Sequence, residues 1–210
     1  MPKVLITSGP TVEKIDPVRY ISNFSSGKMG CELARAFLTE GYEVTVVSGP
    51  VSVSYPSLTK VVQVNSAVEM LEACEEEFAA ADVIVCCAAV CDYRPKICAA
   101  QKLKKGKDDD ALSRIELVKN PDILKTLSSK KCNEQIVVGF CAETENLLEN
   151  ARDKLKSKGC DMVVANDVSE GKVFGDDETA GFIVTKKMTK EFLCNKFELA
   201  KLIVEQTELF

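Results

Sequence analysis

The order of apolar runs and amphipathic stretches predicts an α/β fold with a doubly wound, mostly parallel, Rossmann-like sheet. The strand candidates are continuous apolar runs, which is typical of parallel strands buried on both faces. Helical patterns fall between these runs, and alternating strands and helices form parallel sheets with right-handed connections. We see no repeat and no linker in the 210 residues, so we expect a single domain over residues 1–210.

Periodicity and capping signals give the elements in order. A first strand at 4–7 leads through a loop to a helix in which Met29, Leu33 and Phe37 share one face, and Gly41 ends it. A capping box at Ser66 opens a second helix to about residue 80. Further helices are predicted from Asn120-Pro121, as N-cap and first helical residue, and over 145–158. The remaining strands are predicted at 44–47, 61–64, 83–88, 136–140, 162–165 and 181–185, before a C-terminal helix containing Phe192, Leu199, Leu202 and Ile203.

Composition excludes several classes of function. The formal net charge of −5 argues against a nucleic-acid surface. The longest apolar run, residues 83–91, is too short to span a bilayer, and the chain begins with a strand where a leader would stand, so we expect a cytoplasmic protein. The absence of histidine removes His-based triads and most zinc sites. The ten cysteines lack a C-x-x-C pair and fall among apolar neighbours, which indicates buried free thiols.

The stretch from Asp16 to Gly30 is the first candidate site. Ser25, Ser26 and Gly27 follow a strand and a loop and open a helix, an arrangement that presents backbone N–H groups to an anion. Gly27 and Gly30 would allow close approach of that anion. The stretch matches neither G-x-x-x-x-G-K-S/T nor a full G-x-G-x-x-G. The alternative is an ordinary Ser/Gly loop that caps a helix.

Other informative residues follow the carboxyl ends of the predicted strands, where ligands bind in such sheets. They lie at 8–11, 48–50, 88–95, 139–144 and 165–168. No acidic residue directly follows the second strand, which disfavours a dinucleotide site. Plain turn chemistry is the alternative at each position, but their convergence on one edge favours a composite site.

Two segments interrupt the regular pattern. Residues 96–119 form a predicted lysine-rich flap, in which Lys102 and Lys104 would point to the same side of an extended chain and offer two ammonium groups to a phosphate chain. A solvated, mobile loop is the alternative interpretation of such a charge run. Residues 171–181 are predicted to form a flexible acidic loop that could close over a site.

Taken together, these motifs closely resemble the phosphopantothenoylcysteine synthetase (phosphopantothenate–cysteine ligase) family of coenzyme A biosynthesis. The resemblance rests on D-P-V-R-Y-I-S-N at 16–23, S-S-G-K-M-G at 25–30, and the segments 88–95, 102–105, 119–124, 138–144 and 165–169. They cover nearly the whole chain. Cys91 departs from the alanine that we expect in many relatives. In many bacteria this domain is fused behind a flavin-dependent decarboxylase. The resemblance covers only the synthetase part, so we expect a free-standing synthetase with the decarboxylase as a separate partner.

The resemblance implies a two-step ligation that uses CTP with Mg²⁺. The carboxylate of 4′-phosphopantothenate attacks the α-phosphate of CTP and releases pyrophosphate. The amine of L-cysteine then attacks the acyl-cytidylate and gives 4′-phospho-N-pantothenoylcysteine and CMP. Such chemistry depends on positioning and charge neutralisation more than on proton relays, so it suits a site without histidine. The resemblance further implies a homodimer with the pantothenate site near the subunit interface.

The resemblance also implies which residues form the site. Asn23 and Lys102 are the predicted catalytic residues, although an Asx-turn that shapes the loop is the alternative role for Asn23. The predicted binding residues are Arg19, Ser25, Ser26, Gly27, Lys28, Ala88, Ala89, Asp92, Lys104, Lys105, Lys119, Asn120, Pro121, Asp122, Phe140, Lys154 and Lys158. Arg19 offers a guanidinium fork for phosphate or carboxylate. Lys154 and Lys158 share one face of a predicted helix, so they could act together. Without the resemblance, an exposed, solvated helix face would be the favoured interpretation. The metal ligands stay open.

Two rival functions remain. One is an NAD(P)- or flavin-dependent oxidoreductase, which the incomplete glycine pattern disfavours. The other is a non-catalytic nucleotide-binding module, which the lysine motif and Asn23 disfavour. The residues alone do not separate CTP from ATP.

Overall fold

The computed structural model describes residues 1–104, 112–132, 134–169 and 178–210. Lys105 and most of the predicted acidic loop at 171–181 lie outside these ranges. The elements of the described residues are, in chain order, β1 (Lys3–Ser8), β2 (Val12–Lys14), β3 (Tyr20–Ser22), α1 (Lys28–Thr39), β4 (Glu43–Ser48), β5 (Lys60–Gln63), α2 (Ala67–Phe78), β6 (Val83–Cys86), β7 (Tyr93–Pro95), β8 (Leu117–Lys119), α3 (Ile123–Lys130), β9 (Ile136–Glu143), α4 (Leu147–Lys158), β10 (Met162–Asp167), β11 (Glu178–Thr185), β12 (Thr189–Asn195) and α5 (Lys196–Thr207).

The described residues form a central sheet of eight strands in the order β12-β11-β10-β9-β6-β1-β4-β5. Six neighbouring strands are parallel to one another, namely β10, β9, β6, β1, β4 and β5. Strands β11 and β12 are antiparallel additions at one edge. Counted along the chain, the parallel strands lie in the order 3-2-1-4-5-6, which is the Rossmann order. The predicted fold class is confirmed, and the strand order reverses between β1 and β6.

Helices cover both faces of the sheet and bury two apolar layers. On one face α1 and α5 contribute Leu33, Phe37 and Ile203, and on the other α2, α3 and α4 contribute side chains such as Met70 and Leu127. These five side chains are inaccessible to solvent. Full burial of each such side chain contributes about 1.5–3 kcal/mol, so the two layers hold the helices firmly to the sheet.

The C-terminal prediction was wrong in one respect. Phe192 lies in strand β12, where it pairs with Gly181 of β11, and the final helix begins only at Lys196. Asn195 ends the strand because it forms a capping box with Glu198. In β12 only Phe192 is buried, so the strand is an edge strand with a single anchoring side chain.

The predicted start of α3 was also misplaced. Asn120 does not cap the helix; its side-chain amide donates instead to the carbonyl oxygen of Cys91 at 2.8 Å. The N-cap is Asp122, whose Oδ1 accepts from the N–H of Lys125 at 3.0 Å. Because the Asn120 side chain is engaged with Cys91, the helix begins two residues later than predicted, with Asp122 as its cap.

Smaller differences concern strand ends and two hairpins. Strand β6 ends at Cys86 rather than at residue 88, β9 continues to Glu143, and α4 begins at Leu147. The hairpins β2–β3 and β7–β8 were not predicted, because each of their strands has only three residues. They contact each other through β2 and β7. None of the helices in the described ranges has the length and apolar character needed to cross a membrane.

Candidate functional site

Two adjoining cavities open beyond the carboxyl ends of the parallel strands, within the part of the chain that the structure describes. They share a wall formed by Ala88, Val90, Asp92, Phe140 and Lys154. Each has a volume of about 490 Å³, a size typical of small-molecule sites. Both lie next to the reversal of strand order between β1 and β6, which is where ligands bind in such sheets.

The first cavity, which we call the α4 cavity, is completed by residues from β6, β7, α3 and α4. Besides the shared wall, its lining consists of Thr7, Cys86, Cys91, Tyr93, Lys119, Asn120, Pro121, Asp122, Ile123, Leu124 and Lys158. The second, the glycine-loop cavity, lies over the start of α1. Its further lining residues are Ser8, Gly9, Asn23, Phe24, Ser25, Ser26, Gly27, Lys28, Met29, Gly30, Cys87, Ala89, Cys141, Ala142, Asn166, Val168, Thr179 and Lys196.

Most of the predicted site residues are therefore brought together by the fold. The described residues Arg19, Lys102 and Lys104 are the exceptions, since they line neither of these two cavities. The guanidinium of Arg19 is paired with the carboxylate of Asp16. Lys105 lies outside the described residues.

The glycine loop positions the start of α1 at the cavity. Gly27 is the N-cap with φ 76°, and a Cβ there would lie 2.7 Å from Cγ1 of Val51. A Cβ on Gly30 would lie 2.1 Å from Oγ of Ser8, so this glycine allows α1 to pack closely on β1. Gly30 therefore has a packing role in addition to the predicted anion role. The positive end of the α1 dipole and its first N–H groups lie beside the cavity.

A network of hydroxyl groups lies next to this loop, at the ends of β1 and β4. The Tyr55 hydroxyl donates to Oγ of Ser8 at 2.8 Å and lies 2.9 Å from Oγ of Ser48. Burial raises the pKa of Tyr55, so its hydroxyl keeps its proton. Val51 and Val53 pack against Gly27. These valines lie just past the end of β4, where a dinucleotide-binding fold carries the acidic residue that binds the ribose. Apolar side chains in that place further disfavour the oxidoreductase alternative.

The turn at Ala88 and Ala89 ties the ends of β1 and β6 together. The Ala88 N–H donates to Oγ1 of Thr7 at 3.2 Å, and the Ala89 N–H donates to the carbonyl of Gly9 at 2.9 Å. The Asn23 side-chain amide donates to the carbonyl of Ala89 at 3.1 Å. Asn23 therefore lines the cavity and also fixes the turn that separates the two cavities.

Charged groups from α3 and α4 meet in the α4 cavity. Nζ of Lys158 lies 2.5 Å from Oδ2 of Asp122, the N-cap of α3. Burial raises the pKa of Asp122, but the hydrogen bonds from Lys158 and the Lys125 N–H, with the charges of Lys158 and Lys154, outweigh it and leave the pKa below its ordinary value. Lys154 lines both cavities, which places its charge in the shared wall.

Two residues of the glycine-loop cavity, Thr179 and Lys196, were not predicted from the sequence. Lys196, the first residue of α5, is only 8% exposed and lines this cavity. Asn166 accepts a hydrogen bond from Oγ1 of Thr179 at 3.2 Å. Asn166, at the end of β10, belongs to the strand-end residues that the sequence analysis predicted at this edge. Thr179 and Lys196 gave no signal, because they belong to the antiparallel edge and the helix that follows it.

Four thiols line the cavities, namely those of Cys86, Cys87, Cys91 and Cys141. Burial raises the pKa of Cys87 to about 12 and that of Cys141 to about 11, in the latter case against the charge of Lys154. All ten cysteines are free thiols, as the sequence indicated, but the prediction that they are buried is wrong for Cys98 and Cys132, which are exposed.

The described residues contain no cluster of three or more metal-binding side chains. Asp92 is exposed, and its carboxylate has no hydrogen-bond or ion-pair partner within the described ranges. It lines both cavities. A single free carboxylate fits Mg²⁺ that is bound mainly through phosphates, since this ion keeps several waters and takes few protein ligands.

The sequence profile of the DNA/pantothenate metabolism flavoprotein C-terminal domain family (DFP) matches residues 1–209. The chain belongs to this family. The DFP domain is similar to coenzyme A biosynthesis bifunctional protein CoaBC of Haemophilus influenzae, with 46% identity over 204 residues, which is 97% of this chain and 50% of the relative. The Escherichia coli CoaBC is 46% identical over 167 residues, 80% of this chain and 41% of the relative. The chain thus spans about half the length of the curated relatives.

Solved structures share the fold of this DFP domain. A crystal structure of the C-terminal domain of CoaBC has a TM-score of 0.83 and 40% identity, and the match covers 99% of this chain and 94% of that one. The Cab2 mutant H337A, solved in complex with phosphopantothenate-cysteine, has a TM-score of 0.78 at 16% identity, over 98% of this chain and 84% of that one, and shows the fold alone.

Proposed function

We propose that the chain joins 4′-phosphopantothenate to L-cysteine through an acyl-cytidylate, with conversion of CTP to CMP and pyrophosphate. The observation that carries this proposal is the shared wall of the two cavities, where Phe140, Lys154 and the Ala88–Ala89 turn meet. Two adjoining cavities with a common wall suit a reaction in which one intermediate meets two substrates in turn. Membership of the DFP family and the phosphopantothenate-cysteine bound by Cab2, a protein of the same fold, support the choice of substrates.

The nucleotide occupies the α4 cavity in this proposal. The aromatic ring of Phe140 offers a face to a base, and Lys154 and Lys158 supply positive charge near phosphates. The segment 119–122 forms the opposite side, where Asn120 is fixed by its hydrogen bond to the Cys91 carbonyl. Fixed polar groups of this kind stabilise developing charge without reorganisation during the reaction.

A phosphate group binds at the glycine-loop cavity. The N-terminus of α1, Ser25, Ser26 and Lys28 face it there. Asn23 lines the same cavity and donates to the Ala89 carbonyl, and this location beside the wall shared by both cavities supports a role for it where the two substrates would meet. We assign to Asn23 the stabilisation of the intermediate during the attack of cysteine.

Asp92 is the residue that we assign to Mg²⁺ bound to the nucleotide. The ion would neutralise phosphate charge, as it does in other phosphoryl transfers. The remaining assignments rest on the resemblance: Lys102 as a catalytic residue, Arg19, Lys104 and Lys105 as binding residues, a homodimer, a cytoplasmic location and a partner decarboxylase. The description of the CoaBC relatives as bifunctional supports a second activity carried outside the matched domain.

The test is a reconstituted reaction with the purified chain. CTP and 4′-phosphopantothenate with Mg²⁺ should release pyrophosphate and form acyl-cytidylate, and the addition of L-cysteine should yield the ligated product by mass spectrometry. A Lys154→Gln variant should weaken nucleotide use, while Lys156→Gln on the same helix should not. A preference for ATP would overturn the assignment of CTP. Absence of product with both nucleotides would overturn the proposed function.

A further inference from the structure

The loop at Asp16 forms hydrogen bonds with the main chain of the predicted lysine-rich flap at Leu103. The Leu103 N–H donates to Oδ2 of Asp16 at 3.1 Å, and the Leu103 carbonyl accepts from Nη2 of Arg19 at 2.7 Å. A third bond joins the Ala99 N–H to the Ile15 carbonyl at 2.9 Å. Both main-chain polar groups of Leu103 are therefore held by the loop that precedes β3.

The Asp16 carboxylate that holds Leu103 is itself fixed by several hydrogen bonds. Asp16 is 1% exposed, and its carboxylate accepts from the N–H groups of Val18 and Arg19 at 2.8 Å each. Nε of Arg19 donates to Oδ2 of Asp16 at 3.0 Å, and Nη2 contacts the same oxygen. The hydrogen bonds from Arg19 hold the pKa of Asp16 well below its ordinary value, so the carboxylate is charged near neutral pH. Charge-assisted bonds of this kind are short and directional.

We propose that Asp16 and Arg19 are positioning residues. They hold the main chain at Leu103 and thereby fix the place from which the side chains of Lys102 and Lys104 extend. This inference rests on the proposed function and on the catalytic role assigned to Lys102. The positioning role replaces the direct binding role that the resemblance implies for Arg19, because its Nε and Nη2 are engaged within the chain and it acts on the substrates through Lys102. A main chain that is ordered in advance lowers the cost of fixing a long side chain at the moment of binding.

A double-mutant cycle tests the proposal through the single-turnover rate of pyrophosphate release. Asp16→Asn keeps the shape, removes the charge and should slow this rate by about 10²-fold, the effect of a small misplacement of a reacting group. In a Lys102→Gln background the same substitution should change the rate less than about twofold, since residues that act through one another are not additive. Multiplicative effects, an unchanged rate in Asp16→Asn, or a dispensable Lys102 would each overturn the proposal.

Glu13→Gln is the matched control. Glu13 is a second buried carboxylate on the same hairpin, 3% exposed, and it accepts from the Ala67 N–H at 2.9 Å. The control should leave pyrophosphate release unchanged. If Asp16→Asn fails to fold, Arg19→Lys enters the same cycle, because lysine keeps the charge but loses the forked contact with Asp16 and Leu103.

Amide hydrogen exchange separates failure of this proposal from failure of the proposed function. Asp16→Asn should speed exchange at the Leu103 amide, whereas Glu13→Gln should not. Unchanged exchange at Leu103 would overturn the positioning role even if the native chain proves to be an active ligase. Faster exchange in a chain that releases no pyrophosphate would leave the contact real and overturn its link to catalysis.

Discussion

Asn23 joins two parts of the site through one side chain, because it lines the glycine-loop cavity and donates to the Ala89 carbonyl at 3.1 Å. Asn23→Asp keeps the shape, removes the donor and places a negative charge beside an anion site. We expect pyrophosphate release to persist in a single turnover, while amide formation slows by roughly 10²–10³, the usual effect of losing an oxyanion donor. A chemical quench that follows acyl-cytidylate and product measures both steps.

The control for Asn23 is Asn195→Asp. Asn195 caps α5, and aspartate caps a helix equally well, so this variant should keep native rates. Equal slowing of both half-reactions in Asn23→Asp would reduce Asn23 to a residue that shapes the loop.

Sequence reasoning identified much of the cavity lining, because residues at the carboxyl ends of parallel strands meet at one edge. It did not place Arg19. The guanidinium contacts Asp16 three residues away and Leu103 further along the chain, and the second contact depends on how a loop without regular structure folds back. Lys196 was missed because its position depends on where the antiparallel edge ends.

At the level of secondary-structure elements, the contact between α1 and β1 leaves no room at Gly30. In an exposed helix, Gly→Ala stabilises by about 1 kcal/mol. Here a Cβ would lie 2.1 Å from Oγ and 2.5 Å from Cβ of Ser8, so we expect Gly30→Ala to lower the free energy of unfolding by about 1–3 kcal/mol. Urea unfolding measures the change.

The same substitution in a Ser8→Gly background is the control for Gly30→Ala. Removing the Ser8 side chain removes both close atoms, so the cost of Gly30→Ala should largely disappear there. A stabilising effect in the native background would contradict the contact.

The pair between Lys158 and Asp122 joins α4 to the start of α3. The lowered pKa of Asp122 means that its contribution to stability is present above the ordinary value of 3.8 and is lost as the pH falls through the lower folded value. The side chains are 29% and 41% exposed, so Lys158→Met should cost at most about 1 kcal/mol at pH 5–7, with the difference closing in stronger acid. Urea unfolding at several pH values tests this prediction.

Lys156→Met is the control for that series. Lys156 is exposed on the same helix and has no ion-pair partner within the described residues, so its cost should not vary with pH over this range. A difference for Lys158→Met that is equally insensitive to pH would show that the pair contributes nothing.

Long elements were predictable and short ones were not. The parallel strands have apolar centres and lie near their predicted positions, since burial of the inner strands on both faces leaves a strong signal. Strand β12 buries only Phe192, and the start of α3 depends on a hydrogen bond from Asn120 to the distant Cys91. Neither signal exists within a local window of sequence.

On the scale of the whole molecule, the two small hairpins contact each other and both carry or adjoin exposed apolar side chains. Tyr20 on β3 is 61% exposed and Ile97, just after β7, is 78% exposed. Exposed apolar surface of this kind marks contact sites, and the resemblance predicts a homodimer. Ile97→Glu should therefore reduce the mass measured by light scattering from a dimer to the monomer mass of 23.0 kDa.

Leu193→Glu provides the comparison for Ile97→Glu. Leu193 is equally exposed, at 80%, but lies on β12 at the far edge of the sheet, so its substitution should leave the dimer intact. A native chain that scatters as a monomer at micromolar concentration would contradict the predicted assembly.

The thiols in the cavity walls bear on how the proposed intermediate survives. An acyl-cytidylate acylates any thiolate that it meets, and Cys86, Cys87, Cys91 and Cys141 surround the space where it would form. The protonated thiol is a poor nucleophile, and burial raises the pKa of each of these four groups. In the proposed reaction, these four protonated thiols would therefore compete poorly with the amine of the incoming L-cysteine for the intermediate.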